Sequence, residues 1–191
     1  MCGITGYVAK IDDMNIVINQ MKDTLVHRGP NTSGTWVCED QGVAMGHQRL
    51  AIQDLSSAGH QPMRSASGRY ITVYNGEIYN HFELRKQLEE SSKDIISWNG
   101  HSDTETLLAS IETFGILKTL NLIKGMFSLA IWDSKKKVMT LSRDRMGEKP
   151  LYYGFTGENL VFGSELKSIK KFKDFNNQIC KESLVKYFKY N

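Results

Sequence analysis

Cysteine is scarce in this 191-residue chain. Its three cysteines, Cys2, Cys38 and Cys180, are odd in number, widely spaced and without a C-x-x-C pair, which argues against a disulfide framework or a structural zinc site. Cys38 and Cys180 read as buried or incidental thiols. The histidines, His27, His47, His60, His81 and His101, lack ligand spacing on any predicted helix, and no metal is expected. Long apolar runs are absent as well. No stretch approaches the ~18 residues of a membrane span, and the acidic, amide-rich segment after Lys10 is unlike a signal peptide. The expected compartment is the cytoplasm, with no membrane contact. A formal charge of +3 is too small to argue for nucleic acid, and the late lysines from Lys167 to Lys189 read as a solvated helix and linker face. There is no internal repeat.

What is present is the composition of an ordinary globular protein, 40% apolar and 24% charged, long enough for one domain with a real core. Gly3-Ile4-Thr5-Gly6-Tyr7-Val8 has the apolar content of a buried strand. Apolar residues at helical spacing predict a helix from Met14 to Arg28, ended by Gly29-Pro30. Strands follow at Thr35–Cys38 and Val43–Ile52 around an Asp40-Gln41-Gly42 hairpin signal. After an irregular stretch, strand character returns from Arg69 to Tyr74. Asn80 with Glu83, and Ser102 with Glu105, read as caps of two helices, the second ending at Gly115; a short third helix spans Leu117–Ile123. Paired strands at Met126–Asp133 and Lys137–Asp144, then Leu151–Phe155 and Leu160–Gly163, complete the domain. Strands, then helices, then strands without βαβ alternation predict an α+β layered fold.

The chemistry-bearing candidates begin with Cys2. If the initiator methionine is removed, one residue carries both a thiol and an α-amine, and an amine titrating at roughly 7.7–8.0 suits a general base near neutral pH. The plain alternative is a cysteine placed there by chance beside a glycine turn. Arg49 offers a planar fork for a carboxylate, or else an exposed strand-end arginine. At the strand terminus Asn75-Gly76-Glu77, a side-chain amide and a glycine N–H can point at a developing oxyanion; a simple hairpin turn is the competing reading. Asp103 at a helix start could receive an ammonium or act only as a cap. Together these supply a nucleophile, a base, an oxyanion site and clamps for both ends of an amino acid, the requirements for hydrolysing a side-chain amide.

In that order the motifs resemble the glutaminase domain of class II glutamine amidotransferases, most closely that of glutamine-dependent asparagine synthetases. The resemblance runs from Met1 to about Ser168, through Cys2-Gly3-Ile4, His27-Arg28-Gly29-Pro30, Arg49-Leu50-Ala51-Ile52, Tyr74-Asn75-Gly76-Glu77-Ile78-Tyr79-Asn80, Ser102-Asp103-Thr104-Glu105, Gly125-Met126-Phe127, Arg143-Asp144-Arg145-Met146-Gly147 and Lys149-Pro150-Leu151-Tyr152-Tyr153. It implies an N-terminal nucleophile hydrolase fold, a four-layer αββα sandwich of two antiparallel sheets between helices. It implies Cys2 as nucleophile and Asn75 and Gly76 as the oxyanion pair. Arg49 would take the α-carboxylate of L-glutamine, Asp103 and the Glu77 region its α-amine, with Leu50, Ala51, Ile52 and Gln53 lining the pocket. His27–Pro30 and Arg143–Tyr153 would be scaffold and ammonia-path residues. Leu50-Ala51-Ile52 after Arg49 is similar to the asparagine synthetase branch, where the sugar-phosphate and purine-pathway relatives tend to carry a tryptophan.

The expected organisation is a glutaminase domain over residues 1–172, with 173–191 opening a linker towards a C-terminal synthetase domain that lies beyond this sequence. Neither the Ser-Gly-Gly loop of such a domain nor a Walker-type glycine loop occurs here. The glutaminase domain needs no cofactor, and ATP and magnesium are expected only for the synthetase domain. The expected partners are L-glutamine, that domain and a second copy in a homodimer. A glutamine-sensing or partner-docking module of the same fold, without turnover, is the alternative.

Overall fold

In the computed structural model, which describes residues 1–91, 96–173 and 175–190, side-chain alternation along the first strand sets the layering. Strand β1 (Gly3–Val8) sends Ile4 and Val8 into an apolar layer with Val43, Met45, Ile71, Val73, Ala130, Trp132 and Phe162. Tyr7 points the opposite way, among Met14, Ile18 and Met21. Successive side chains of a strand face opposite sides of the sheet, so one short segment contributes to two cores. β2 (Thr32–Cys38), β3 (Val43–Arg49), β8 (Tyr152–Thr156) and β9 (Asn159–Gly163) join β1 in a five-stranded sheet ordered β2-β3-β1-β9-β8. β4 (Met63–Arg64), β5 (Tyr70–Ile78), β6 (Gly125–Asp133) and β7 (Val138–Arg143) form a second sheet in chain order. Every pairing is antiparallel.

The outer faces are covered by helices. α1 (Met14–Asp23) and the short α5 (Leu166–Ile169) close the first sheet. α2 (His81–Ser91), α3 (Asp103–Phe114) and α4 (Ile116–Leu122) close the second over Tyr70, Tyr74, Ile78, Leu107, Ile111, Phe127 and Leu129. The result is the αββα sandwich that the motifs imply. α6 (Lys181–Tyr190) follows and contains no buried residue.

Several local expectations need correction. The first helix stops at Asp23 rather than Arg28. Thr24 Oγ1 donates to the Met21 carbonyl at 2.7 Å, and Val26–Arg28 tighten into a 3-10 turn. That turn brings Gly29 onto the main chain of β3, where a Cβ would come within 2.4 Å of the Gln48 carbonyl. The strand expected through Ile52 ends at Arg49. Asn75-Gly76-Glu77 is neither strand terminus nor hairpin turn: these residues lie inside β5, opposite Ser128, Phe127 and Met126 of β6. Asn80 does not cap α2 with its side chain. Its Nδ2 donates to the Leu122 carbonyl at 3.0 Å and its Oδ1 accepts from Lys124 N at 2.8 Å, tying α2 to the end of α4. Ser102 does cap α3, accepting from Glu105 N at 3.3 Å. Two short elements, β4 and α5, escaped sequence patterning because neither is long enough to show a period.

Gly6 is where the inter-sheet layer leaves no room. A Cβ there would lie 2.6 Å from the Ala44 carbonyl and 2.5 Å from the Phe162 ring. Gly6→Ala is expected to lower stability by about 1–3 kcal/mol, the usual cost of overpacking, seen as a reduced urea midpoint. Gly154→Ala, where a Cβ meets nothing within 4 Å, should stay within about 0.5 kcal/mol of the parent. Equal midpoints for the two variants would contradict this packing.

Candidate active site

The same alternation that layers the fold gathers the candidate residues at one end of the inter-sheet gap. On β3, Val43 and Met45 face the gap, so His47 and Arg49 share their side. On β5, Ile71 and Val73 face it, so Asn75 and Glu77 do too. Cys2 precedes β1 in step with Ile4. Cys2, Arg49, Leu50, Ala51, Ile52, Gln53, Asn75, Gly76, Glu77 and Asp103 all line one cavity of about 110 Å³. The sequence separates them by as much as a hundred residues; the structure brings every one of them together.

Cys2 is half-buried. Its Sγ accepts from Leu50 N at 3.4 Å and lies 3.6 Å from the Leu50 carbonyl. Burial pushes the thiol pKa up, while the Leu50 N–H, the Met1 ammonium and Arg49 favour the thiolate. The main chain here is held from below: Arg28 Nε donates to the Cys2 carbonyl at 3.0 Å, and Arg28 Nη1 to Glu165 at 3.0 Å. Glu165 also meets His27 at 2.9 Å and Lys167 at 3.1 Å. Burial alone would raise the Glu165 pKa, but these three donors hold it down at about 2. Met1 lines the cavity edge, its Sδ 3.4 Å from Lys149 Nζ.

Arg49 is buried, not the exposed strand-end residue of the competing reading. Its Nη1 donates to the Ser56 carbonyl at 2.8 Å and its Nη2 to the Asp54 carbonyl. A guanidinium has five N–H donors, so three remain for a ligand. The loop carrying those carbonyls is fixed by the Asp54 carboxylate, which accepts from Ser56 N at 2.8 Å, Ser56 Oγ at 2.6 Å and His101 N at 3.0 Å. The Ser56 hydroxyl and the backbone donors hold the Asp54 pKa at about 2. Gly59 makes room for the fork, since a Cβ there would meet Arg49 Nη2 at 2.2 Å.

Asp103 opens α3. Its Oδ2 accepts from Tyr74 Oη at 2.8 Å and from Ile78 N at 2.9 Å. Burial raises its pKa, and those two donors offset part of the shift. The Ile78 contact identifies which way β5 points. Ser65 N bonds the Tyr70 carbonyl and Tyr79 N bonds the Lys124 carbonyl, so even-numbered residues of β5 direct N–H and C=O towards β4 and odd-numbered ones towards β6. β4 pairs only as far as Thr72. Beyond it the Gly76 N–H faces an open edge, with no partner among the described residues. Asn75 is buried, and its Nδ2 is likewise without a partner there. An unpaired strand N–H and an unpaired side-chain amide thus stand next to each other on a cavity wall. Glu77 lies beside them, 3.4 Å from Gln53 Nε2.

Arg28, Tyr74 and Asp54 escaped as site residues, although the first two fall within the matched motifs. Arg28 stands in the segment expected to be scaffold, yet it touches the Cys2 main chain directly. Tyr74 could have been found from its register, one step before Asn75 and therefore facing α3. Asp54 gave no signal inside a Ser- and Gly-rich loop. Among the described residues, no three His, Cys, Asp or Glu side chains converge on a metal-sized site.

Comparison with known proteins identifies the family and the fold. The model of the glutamine amidotransferase domain matches residues 1–191. Asparagine synthetase [glutamine-hydrolyzing] 3 of Bacillus subtilis is 35% identical over 193 residues, covering 98% of this chain and 30% of that protein. Asparagine synthetase [glutamine-hydrolyzing] 1 of the same organism is also 35% identical, covering all of this chain and 30% of its own length. The chain therefore spans about a third of the length of these curated relatives. Among solved structures, the glutamine phosphoribosylpyrophosphate amidotransferase of B. subtilis superimposes with a TM-score of 0.72 at 22% identity, over 88% of this chain and 43% of that one. The chain belongs to the glutamine amidotransferase domain family.

Proposed function

We propose that this domain hydrolyses L-glutamine to L-glutamate and ammonia through a thioester at Cys2, as the glutaminase part of an asparagine synthetase-like enzyme. The observation that carries the reading is the pair of unpartnered donors, Gly76 N–H and Asn75 Nδ2, on the wall of the cavity that Cys2 enters. An unsatisfied buried donor such as Asn75 Nδ2 is costly in a resting protein, and a tetrahedral oxyanion would satisfy it together with the Gly76 N–H. Arg49 has free N–H groups for the α-carboxylate. Asp103, its carboxylate disfavoured by burial, gains most from an incoming α-ammonium.

The steps balance without any cofactor in this domain. The α-amine of an N-terminal Cys2 takes the thiol proton as sulfur bonds to the amide carbon. The oxyanion collapses, the C–N bond breaks and nitrogen leaves as ammonia with that proton. Water then attacks the thioester, the amine relays its proton to sulfur, and glutamate departs. The ammonia would pass to a synthetase domain that uses ATP and magnesium, as the names and lengths of the relatives suggest. Aspartate is the acceptor those names point to.

In the sequence as written, Met1 carries the α-amine and its side chain sits at the cavity edge. That observation favours a second reading for the unprocessed chain, a glutamine-binding module without turnover. Intact-protein mass spectrometry beside a glutamate-release assay separates the two. The species lacking Met1 is expected to turn over glutamine and the species retaining it to bind without hydrolysis; full activity with Met1 retained contradicts the amine's role. Cys2→Ala in the processed protein should abolish glutamate release with the thermal midpoint preserved. Asn75→Ala is expected to lower kcat by about 100-fold with little change in KM, as for loss of an oxyanion donor; an unchanged kcat would refute that assignment.

A further inference from the structure

Among the described residues no strand lies beside the second half of β5, whose edge carries the Gly76 N–H at the cavity. Met63 faces Thr72 and Arg64 faces Ile71, so one more antiparallel step per residue would set Gln61 opposite Tyr74. The strand does not continue that far. The Gln61 carbonyl lies instead against β2, where a Cβ on Gly34 would approach it to 2.2 Å. The side chain of Gln61 does what its main chain has left undone. Its Oε1 accepts from Tyr74 N at 2.6 Å, while its Nε2 donates to Thr104 Oγ1 in the first turn of α3 at 3.4 Å. From the opposite sheet, His47 Nε2 meets the Tyr74 carbonyl at 3.2 Å. Tyr74 is thereby held at its N–H, its C=O and, through Asp103, its hydroxyl. Gln61 is itself buried and lines the same cavity as Cys2.

We propose that Gln61 is a positioning residue for the oxyanion donors: it replaces the missing strand beside Tyr74 and sets the Asn75–Gly76 donors at a fixed height relative to α3 and Asp103. It acts through Tyr74 and not on the reacting atoms, and its catalytic consequence rests on the glutaminase reading. One side-chain amide can accept from the strand through its oxygen and donate to the helix through its nitrogen. Methionine at this position keeps the volume and removes both bonds, whereas glutamate retains an acceptor for Tyr74 N–H and can accept from the Thr104 hydroxyl.

Amide hydrogen exchange tests the positioning without any need for turnover. In Gln61→Met the Tyr74 amide is expected to exchange at least ~10-fold faster than in the parent, while the Val73 and Asn75 amides, which face β6, keep their protection. Unchanged exchange at Tyr74 would overturn the proposal whatever the enzyme does. In the Met1-processed protein, Gln61→Met should lower kcat by ~10- to 100-fold with KM within about 3-fold, and Gln61→Glu should recover most of it. Binding of L-glutamate γ-semialdehyde, whose thiol adduct carries the tetrahedral oxygen, should weaken in step with kcat while L-glutamate binding stays constant. Equal weakening of both ligands would make Gln61 a general packing residue and defeat the proposal. A parent that binds glutamate and never releases it from glutamine would defeat the glutaminase reading instead, leaving the exchange result to decide on Gln61.

Discussion

A strand that stops early organises this molecule. β5 is nine residues long and its neighbour β4 only two, so the second half of β5 has one edge paired with β6 and the other bare. Bare strand edges inside a protein carry unsatisfied backbone groups at a cost of about 1–3 kcal/mol each. The chain meets that cost with side chains from three other elements: Gln61 ahead of β4, His47 on β3 and Asp103 on α3. The Gly76 N–H, left without a partner among the described residues, belongs to a residue that lines the cavity Cys2 enters. The donor pair proposed for the oxyanion therefore arises from an incomplete sheet, not from an added loop.

His47 shows how tightly this is set. It is fully buried, and burial pushes its pKa down to about 3, so it is neutral across the physiological range. The Tyr74 carbonyl can only accept, so the proton sits on Nε2 and Nδ1 is left without a partner. A histidine in this state titrates nothing near neutral pH and serves as a fixed donor across the inter-sheet gap.

The layered α+β class was legible in the order of strands, helices and strands without βαβ alternation, and the two sheets between helices were what the resemblance implied. The ordered motifs placed Cys2, Arg49, Asn75, Gly76 and Asp103 in one reading, and all of them line one cavity. What stayed illegible was whatever depends on termination. Asn75-Gly76 looks like a turn because those residues favour turns locally, yet pairing with Ser128 and Phe127 overrides the preference. Asn80 and Glu83 spell a capping box, but the Asn80 side chain finds better-placed partners in Leu122 and Lys124. Arg28 reads as part of a helix end, and only the packing of Gly29 onto β3 carries its guanidinium to the Cys2 carbonyl.

Arg49 and Asp103, the clamps we propose for the two ends of an amino acid, are linked through one carboxylate. Asp54 fixes the loop whose carbonyls hold Arg49, and its second oxygen accepts from His101 N, two residues before Asp103. Gly100 permits this approach, since a Cβ there would fall 2.5 Å from Asp54 Oδ2. The distance between the guanidinium and the Asp103 carboxylate is thus set by main-chain contacts of a single side chain that stays ionised well below neutral pH. A ligand carrying a carboxylate and an ammonium on one carbon must fit that spacing before its side-chain amide can reach Cys2. Recognition of the α-carbon groups and placement of the reacting carbonyl are therefore one geometric requirement. The loop from Leu50 to Ser56, which follows β3 directly and is tied through Asp54 to His101 just ahead of α3, is what enforces it.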